Sequence, residues 1–228
     1  MLYIGLDDTD NLLSRGTGHL ARQIALELSR EYALVGVVRH QLLVDARVPC
    51  TRHNSSKAII LDADGAVDPA SLLERVGAMM LADFQTGSDP GVCVASAQPE
   101  AVVEFGRRAK RELLLQSDAR ELAARLGVPL VGLGGSQDGV IGALAAVGLA
   151  ASGEDGRYML LGRMRELSGL QPIEAVLAAG IAAVRTADGA PVSSGWVQCA
   201  RLRPARRGGL PVLFVRPEDG RWLPLKLD

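Results

Sequence analysis

Three aspartates follow the first apolar segment of the chain almost without a break. Residues 2–6 read as a short buried strand, and Asp7, Asp8 and Asp10 come directly after it. Neighbouring carboxylates repel one another and resist the loss of water unless a cation or hydrogen bonds balance their charge. Carboxylate oxygens also suit Mg²⁺, which is usually shared with the phosphates of a substrate. These aspartates are therefore candidate metal ligands and catalytic groups, with turn and helix-capping residues as the alternative.

Thr17 stands between Gly16 and Gly18, at the point where the next helix is predicted to begin. The two glycines leave the threonine hydroxyl and the backbone N–H groups of the first helical turn open to a phosphate. Thr17 is thus a candidate phosphate ligand or phosphoryl acceptor, and both glycines are candidate nucleotide contacts. An ordinary helix-capping threonine explains the same pattern.

A short segment further along combines two fixed positive charges with an imidazole and an amide. It reads Val-Pro-Cys-Thr-Arg-His-Asn over residues 48–54, so that Arg52, His53 and Asn54 closely precede Lys57. A guanidinium group binds phosphate through two parallel hydrogen bonds, which makes this segment a candidate clamp for a nucleotide. A solvated loop between two strands is the alternative.

Residues 132–148 form a glycine-rich segment, Gly-Leu-Gly-Gly-Ser-Gln-Asp-Gly followed by a run of small apolar residues. It is not a Walker A loop, because no Gly-Lys-Ser or Gly-Lys-Thr follows, and it fits the dinucleotide-binding GxGxxG pattern poorly. Glycines before a helix nevertheless expose backbone N–H groups to an anion. The small residues over 142–148 are better explained by close packing of the helix. The candidate nucleotide-binding residues of this segment are Gly132, Gly134, Gly135, Asp138, Gly139 and Gly142.

The charge of the chain gives no general attraction to nucleic acid, because 25 basic residues face 26 acidic ones. Any RNA contact must therefore be local. Arg201, Arg203, Arg206 and Arg207 lie between two predicted strands and could contact an RNA backbone. A charged hairpin tip is the commoner explanation of such a cluster.

The periodicity of apolar residues predicts an α/β or α+β fold that places these candidates at the ends of strands and the beginnings of helices. Apolar residues make up 48% of the chain and aromatic residues only 4%, which suits helices packed on strands and argues against disorder. Helices are predicted over about 17–31, from Asp68 and Pro69 to about Met80, over 99–115 and 118–126, and after the glycine-rich segment. Strands are predicted over 2–6, 33–38, 58–61, 91–95 and 130–131.

From about residue 153 the pattern changes to short predicted strands with one helix. Strands are predicted over 158–161, 181–185, 196–202, 211–215 and 222–227, and a helix over 173–179. The boundary that this change favours divides the chain into a larger N-terminal domain, 1–152, and a smaller, sheet-rich C-terminal domain, 153–228.

Cysteine usage and the beginning of the chain indicate a cytoplasmic protein. Cys50, Cys93 and Cys199 are far apart, so neither a disulfide framework nor a zinc site is indicated, and buried hydrophobic positions are expected for all three. The N-terminus lacks the basic and apolar regions of a secretory signal. No apolar stretch reaches the roughly 20 residues that span a bilayer, so no membrane partner is expected.

Taken together and in this order, the motifs resemble those of the isoleucine-tRNA agmatinylcytidine synthetases. The resemblance is carried by Leu-Asp-Asp-Thr-Asp-Asn at 6–11, Thr17, the segment 48–54, Ser-Asp-Pro-Gly at 88–91 and Gly-Val-Ile-Gly-Ala-Leu-Ala-Ala-Val-Gly at 139–148. It covers about residues 1–150 well, and the tail echoes that family's ferredoxin-like domain through Gly-Trp-Val at 195–197 and Leu-Pro-Val-Leu-Phe-Val at 210–215. The resemblance implies a mixed α/β, kinase-like N-terminal domain and a smaller ferredoxin-like domain.

The resemblance also implies an activity. In that family a kinase-like domain uses ATP and Mg²⁺ to phosphorylate the carbonyl oxygen of a tRNA cytidine, and agmatine then displaces the phosphate. By position, Asp7, Asp8 and Asp10 would hold Mg-ATP and Thr17 would match a phosphorylated threonine. The segment 132–142 and Arg52, His53 and Asn54 would line the nucleotide pocket.

This sequence departs from the family pattern in ways that leave the acceptor open. The OB-fold and zinc ribbon that grip tRNA in the family are absent from it, and His53 stands where glycine is usual. Gly16 and Gly18 replace bulkier residues beside the threonine. RNA is therefore expected as a partner with help from another chain. A small-molecule kinase and a non-catalytic nucleotide-binding or RNA-binding module are the alternatives.

Overall fold

A computed structural model describes residues 1–48, 50, 53–63, 67–96 and 99–227. It has a mixed α/β fold, as the sequence predicts. The helices are α1 (Thr17–Leu28), α2 (Pro69–Ala82), α3 (Glu100–Ala109), α4 (Gln116–Leu126), α5 (Gly139–Ser152) and α6 (Ile173–Ala178). The strands are β1 (Leu2–Asp7), β2 (Ala33–Gln41), β3 (Ser55–Asp62), β4 (Gly91–Ala95), β5 (Leu130–Gly132), β6 (Arg157–Leu160), β7 (Gly169–Pro172), β8 (Ala183–Thr186), β9 (Trp196–Cys199), β10 (Ala205–Arg207), β11 (Leu210–Glu218) and β12 (Arg221–Pro224).

The strands join in one mixed sheet with the order β5-β4-β1-β3-β2-β6-β10-β11-β12-β9-β7, and β8 pairs with β11. The pairs β8–β11 and β9–β12 are parallel, and β1 is antiparallel to both of its neighbours, β3 and β4. A central strand covered on both faces must be apolar throughout. This explains why residues 2–6 form a continuous apolar run that stops where the carboxylates begin.

Helices cover both faces of the N-terminal half of the sheet. On one face, Leu2, Ile4 and Leu6 of β1 pack in a cluster with α1 and α2. On the other face, Tyr3 packs in a second cluster that includes residues of α3, α4 and α5. Side chains alternate between the faces of a strand, so β1 anchors both layers and fixes where its last residue, Asp7, emerges.

Helix α5 approaches the sheet so closely that only glycine fits at several contact positions. A Cβ at Gly5 would lie 2.0 Å from the carbonyl oxygen of Ala143, and one at Gly91 would lie 2.2 Å from the carbonyl carbon of Gly139. A Cβ at Gly148 would lie 2.0 Å from the carbonyl oxygen of Val102 in α3. The predicted role of the small residues in helix packing is thus confirmed for Ala143 and Gly148.

Some element boundaries differ from the sequence prediction. The predicted helix over 99–115 ends at Ala109 in α3. Helix α4 begins at Gln116 rather than residue 118, and Asp118 caps it by accepting a hydrogen bond from the Leu115 N–H at 2.8 Å. Strands β7 and β10 were not predicted, since Gly-Leu-Gln-Pro and Ala-Arg-Arg each contain too few apolar residues to show a strand pattern. Helix α1 begins at Thr17, as predicted, and ends at Leu28 rather than residue 31.

The predicted domain boundary falls where α5 ends. Gly153, in the left-handed conformation at φ +75°, caps the helix. The sheet nevertheless continues past this point through the pairing of β2 with β6. The two-domain division and the ferredoxin-like character of the tail remain predictions.

The arginines of the tail do not form a hairpin tip as a group. Arg206 is buried in β10, and it donates hydrogen bonds to the carbonyl oxygen of Ala150 at 2.9 Å and to the hydroxyl of Tyr158 at 2.7 Å. The prediction of a charged surface position is therefore wrong for Arg206. Its guanidinium joins the end of α5 to β6 instead.

The cysteine prediction is confirmed for two of three residues. Cys93 and Cys199 are buried, but Cys50 is exposed. Within the part of the chain that the structure describes, no helix combines the length and apolar character that crossing a bilayer requires.

Candidate functional site

A cavity of about 900 Å³ opens where β1 ends and where α1 and α5 begin. A cavity of this volume is large enough for a nucleotide-sized ligand. The candidate residues of the sequence analysis that line it are Asp7, Asp8, Asp10, Gly16, Thr17, Gly18, His53, Asn54, Lys57, Asp138, Gly139 and Gly142.

Asp7, the last residue of β1, projects its carboxylate against the beginning of α5. A Cβ at Gly142 would lie only 1.8 Å from Oδ2 of Asp7, so the glycine makes room for this carboxylate. Burial raises the pKa of Asp7 to about 6, although nearby Lys57 opposes the shift. The carboxylate is thus held in a place where a cation would stabilise its charged form.

Asp8 has a backbone conformation that non-glycine residues seldom adopt, with φ at +49°. Burial, followed by the charges of Asp7, Asp89 and Asp10, raises the pKa of Asp8 to about 7. A backbone hydrogen bond from Asp89 opposes the shift. Strained residues of this kind persist where the surrounding structure holds them, commonly at functional sites. The turn therefore presents a second carboxylate whose charge is poorly balanced.

Asp10 and Thr17 are joined at the beginning of α1. Oδ1 of Asp10 accepts hydrogen bonds from the Thr17 hydroxyl at 2.6 Å and from the Thr17 N–H at 3.2 Å. The hydroxyl in turn accepts from the Thr9 N–H at 3.3 Å. Gly16, the residue before the helix, has no side chain that could cap it, so the carboxylate of Asp10 accepts the hydrogen bond from the first helical N–H instead. Thr17 itself is buried and faces the cavity with its hydroxyl already engaged.

Lys57 in β3 is a basic residue whose charge acts on Asp7 of the acidic turn. Its ammonium group is buried and donates to the carbonyl oxygen of Ser55 at 2.5 Å and to the Ser55 hydroxyl at 3.2 Å. Burial lowers the pKa of Lys57, and the charge of Asp7 raises it. Asn54 donates to the carbonyl oxygen of Leu43 at 2.9 Å, which ties its loop to the end of β2. Arg52 lies outside the described residues.

The glycine-rich segment divides into two parts. Asp138, Gly139 and Gly142, at the beginning of α5, line the cavity. Gly132, Gly134 and Gly135 are not among its lining residues, and their lack of a side chain has local reasons. A Cβ there would come within 2.5 Å of Gln137 Cβ, 2.8 Å of Phe84 and 1.9 Å of Oδ1 of Asp89, respectively.

Several lining residues were missed by sequence reasoning. Asp89 lies beside Asp8 because β4 pairs with β1, and its only signal was the Ser-Asp-Pro-Gly motif at 88–91. The wall formed by the ends of β2 and α3 and by the α3–α4 connection is largely apolar, and no sequence pattern marked it. It consists of Leu42, Leu43, Ala109, Leu113, Leu114 and Leu115, with Ile141 of α5 nearby. Arg22, Arg39, Arg47 and Arg201 also line the cavity.

The acidic residues do not form a closed metal site. Among the described residues, no three histidine, cysteine, aspartate or glutamate side chains are grouped so as to hold a metal ion. Mg²⁺ commonly takes one or two carboxylates and completes its octahedron with water and phosphate oxygens. The hard oxygen donors of Asp7 and Asp8, poorly balanced in charge, fit a magnesium ion that arrives with a phosphate ligand.

Comparison with known proteins gives one informative relative in sequence. No family model matches the chain. The chain is 29% identical over 152 residues to TiaS of Pyrococcus horikoshii, the 2-agmatinylcytidine synthetase of an isoleucine tRNA. The match covers 65% of this chain and 35% of the relative, so the chain spans about a third of the relative's length.

Comparison with solved structures agrees. A complex of TiaS with its isoleucine tRNA and ATP superposes with a TM-score of 0.56 and 23% identity, covering 64% of this chain and 36% of that one. A structure described as a tRNA fluorescent labeling enzyme gives the same TM-score and identity, with 64% and 35% covered. At this identity the likeness establishes the fold alone. The resemblance that the sequence motifs indicated is confirmed, and over about two thirds of its length the chain is similar to the isoleucine-tRNA 2-agmatinylcytidine synthetases.

Proposed function

We propose that this chain is an ATP-dependent enzyme of tRNA modification that transfers the γ-phosphoryl group of ATP to an oxygen of a tRNA cytidine. The observation that carries the proposal is the convergence of the acidic turn, buried Lys57 and the beginning of α5 on one cavity with an apolar wall. Phosphoryl transfer depends mainly on positioning and on the neutralisation of charge. The cavity offers groups for both.

The two sides of the cavity suit the two ends of a nucleotide. Asp7, Asp8 and Lys57 line the cavity together with the beginning of α5, where their charges and the positive end of the helix dipole can orient a triphosphate and its counterion. The leucines of the apolar wall, Leu42 and Leu114 among them, can cover the faces of a base and exclude water. ATP would thus lie across the cavity with its phosphates at the acidic turn.

Asp7 and Asp8 would hold magnesium in this proposal. Asp10 would not bind the ion directly but would position the residues around it. A bound Mg²⁺ would neutralise the charge that develops on the phosphate oxygens during transfer. Oδ1 of Asp10 is engaged by Thr17, so its part is to fix the beginning of α1 under the phosphates. Lys57 balances part of the acidic charge from the other side.

The identity of the phosphoryl acceptor is proposed from the activity of the similar proteins. The sequence relative is a 2-agmatinylcytidine synthetase of an isoleucine tRNA, and the similar structures include a complex of TiaS with that tRNA, AMPCPP and agmatine. By analogy, the cytidine carbonyl oxygen attacks the γ-phosphorus and ADP leaves. The amine of agmatine then attacks the activated carbon, and inorganic phosphate leaves.

Calorimetry with a nonhydrolysable ATP analogue tests the first step. Binding is expected with Mg²⁺ present, and we expect at least a tenfold loss with EDTA or in Asp8→Asn. The control is Asp62→Asn, which makes the same change of charge at an exposed position near the end of β3. Equal binding by Asp8→Asn and Asp62→Asn would overturn the role of the acidic turn. An absence of binding by the wild-type protein would overturn the proposed function.

A further inference from the structure

Arginines from four separate parts of the chain lie close enough together to act on one another's charge. Burial first, and then the charges of four other arginines, lower the pKa of Arg203. Burial and the charge of Arg165 lower the pKa of Arg22. The five arginines come from α1, β6, the turn after β6 and the segment between β9 and β10. We call this set the arginine cluster: Arg22, Arg157, Arg165, Arg201 and Arg203.

The acidic residues of the protein do not balance most of this cluster. Among the described residues, no ion pair joins Arg22, Arg165, Arg201 or Arg203 to a carboxylate. Arginines on other surfaces are paired, as in the bond between Arg75 and Glu31 at 2.7 Å. Since the formal charge of the whole chain is only −1, the cluster is a local concentration of positive charge.

The cluster begins at the cavity and continues outside it. Arg22 and Arg201 line the cavity, whereas Arg165 and Arg203 do not. Met159 connects the two parts. Its methyl group would lie 2.4 Å from a Cβ at Gly18, and its carbonyl oxygen is 3.4 Å from a guanidinium nitrogen of Arg165.

The segment that carries Arg201 and Arg203 is held beside the rest of the cluster. The N–H of Tyr158 donates to the carbonyl oxygen of Pro204 at 2.8 Å, which ties this segment to β6. Arg201 and Arg165 are exposed, and Arg203 is half-buried. The positive surface therefore extends from the mouth of the cavity to solvent, beyond the reach of a ligand confined within the cavity.

We propose that the arginine cluster binds the phosphodiester backbone of the RNA strand that presents its nucleoside to the cavity. Guanidinium groups bind phosphate through paired hydrogen bonds, and phosphate contacts fix the register of a nucleic acid without reading its sequence. A strand held there would have one nucleotide at the cavity mouth and its neighbours over Arg165 and Arg203. The inference rests on the proposed function for the identity of the strand as the RNA acceptor.

The test uses Arg165→Gln/Arg203→Gln, because these residues lie outside the nucleotide cavity. The matched control is Arg125→Gln/Arg185→Gln, which removes two exposed arginines outside the cluster. The probe is a fluorescent RNA hairpin with a cytidine in its loop, titrated at several salt concentrations. We expect roughly tenfold weaker RNA binding for the cluster variant. The slope of log affinity against log salt should be smaller in magnitude by about 1.4, which corresponds to the loss of two phosphate contacts with a single strand.

The outcomes separate this inference from the proposed function. Unchanged binding of the ATP analogue with weakened RNA binding supports the inference. RNA affinity equal to that of the control, or no RNA binding by the wild type, overturns it. Loss of ATP analogue binding with RNA binding intact would assign the arginines to the nucleotide instead and also overturn it. If the wild type binds RNA but not the ATP analogue, the proposed function fails while the RNA contact can still be established. Arg165→Gln alone provides a second variant at an exposed position.

Discussion

The hydroxyl of Thr17 donates a 2.6 Å hydrogen bond to Oδ1 of Asp10, and the N–H of the same threonine donates to that oxygen over 3.2 Å. Asp10 therefore combines two roles, since it caps α1 and adds a negative charge to the cavity. Thr17 would have to leave this bond before its own oxygen could accept a phosphoryl group. The pair links the stability of α1 to the chemistry of the site.

Two substitutions of Asp10 separate these roles. Asp10→Asn keeps an oxygen that can accept from Thr17, so the free energy of unfolding should change little. Asp10→Ala removes the cap and should cost about 1 kcal/mol. Both should weaken Mg-dependent binding of an ATP analogue, since both remove the charge. Urea unfolding and calorimetry measure the two effects, and equal destabilisation by both variants would contradict the capping role.

The contact between Gly142 and Asp7 predicts that a single methyl group displaces the carboxylate. Gly142→Ala places a Cβ 1.8 Å from Oδ2 of Asp7, so Asp7 or α5 must move. We expect a destabilisation of about 1–3 kcal/mol together with loss of nucleotide binding. Gly77→Ala is the control, because its Cβ in α2 would meet only Leu133 at 3.4 Å, and helix propensity favours alanine there. If Gly142→Ala bound the nucleotide as tightly as wild type, the position of the Asp7 carboxylate would not be required for nucleotide binding.

The acidic turn could be predicted from sequence because its signal is local. A buried strand followed at once by carboxylates, and a glycine-flanked threonine before a periodic helix, are both visible within the first 28 residues. The same reasoning found the beginning of α5. What these elements share is that residues close in sequence determine them.

The rest of the site depends on contacts between distant segments. Asp89 approaches Asp8 only because Gly91 pairs with Asp7 across β4 and β1. Arg206 is buried because β10 pairs with β6 beside the end of α5. Periodicity reports which face of an element is apolar but not which elements become neighbours, so these contacts and the arginine cluster could not be predicted.

The raised pKa values of the acidic turn predict how pH affects stability without ligand. The ordinary value for aspartate is 3.8, and Asp8 is raised to about 7 by burial and by its acidic neighbours. Between these values the folded protein binds more protons than the unfolded chain, so this group lowers the free energy of unfolding as pH rises. Asp8→Asn should therefore be more stable relative to wild type at pH 8 than at pH 5.

Urea unfolding of both proteins at the two pH values gives this comparison, with Asp62→Asn as the control. For ligand affinity, the Asp8 carboxyl predicts a trend opposite to that for stability, because a magnesium ion binds the charged carboxylate. Affinity for the Mg-ATP analogue should rise between pH 6 and pH 8. An equal difference in stability between wild type and Asp8→Asn at pH 5 and pH 8 would contradict the raised pKa.

A buried histidine predicts a loss of stability in mild acid that is independent of the site. His40 in β2 is fully buried, and its Nδ1 lies 2.8 Å from Oδ1 of Asp155, whose other oxygen accepts from Lys110. Burial lowers the pKa of His40 from its ordinary value of 6.5, although the bond to Asp155 opposes the shift. The folded state keeps the ring neutral while the unfolded chain takes up a proton.

The unfolded chain therefore binds more protons than the folded protein below about pH 6.5, and stability falls as pH decreases through this range. His40→Gln should be less stable than wild type at pH 7, because it disrupts a buried hydrogen bond, but its stability should fall less between pH 7 and pH 5.5. Urea midpoints at both pH values measure the difference. His40 precedes α5 and Asp155 follows it, so their contact crosses the predicted domain boundary. If the stability of both proteins fell equally between pH 7 and pH 5.5, this contact would not control the acid sensitivity of the fold.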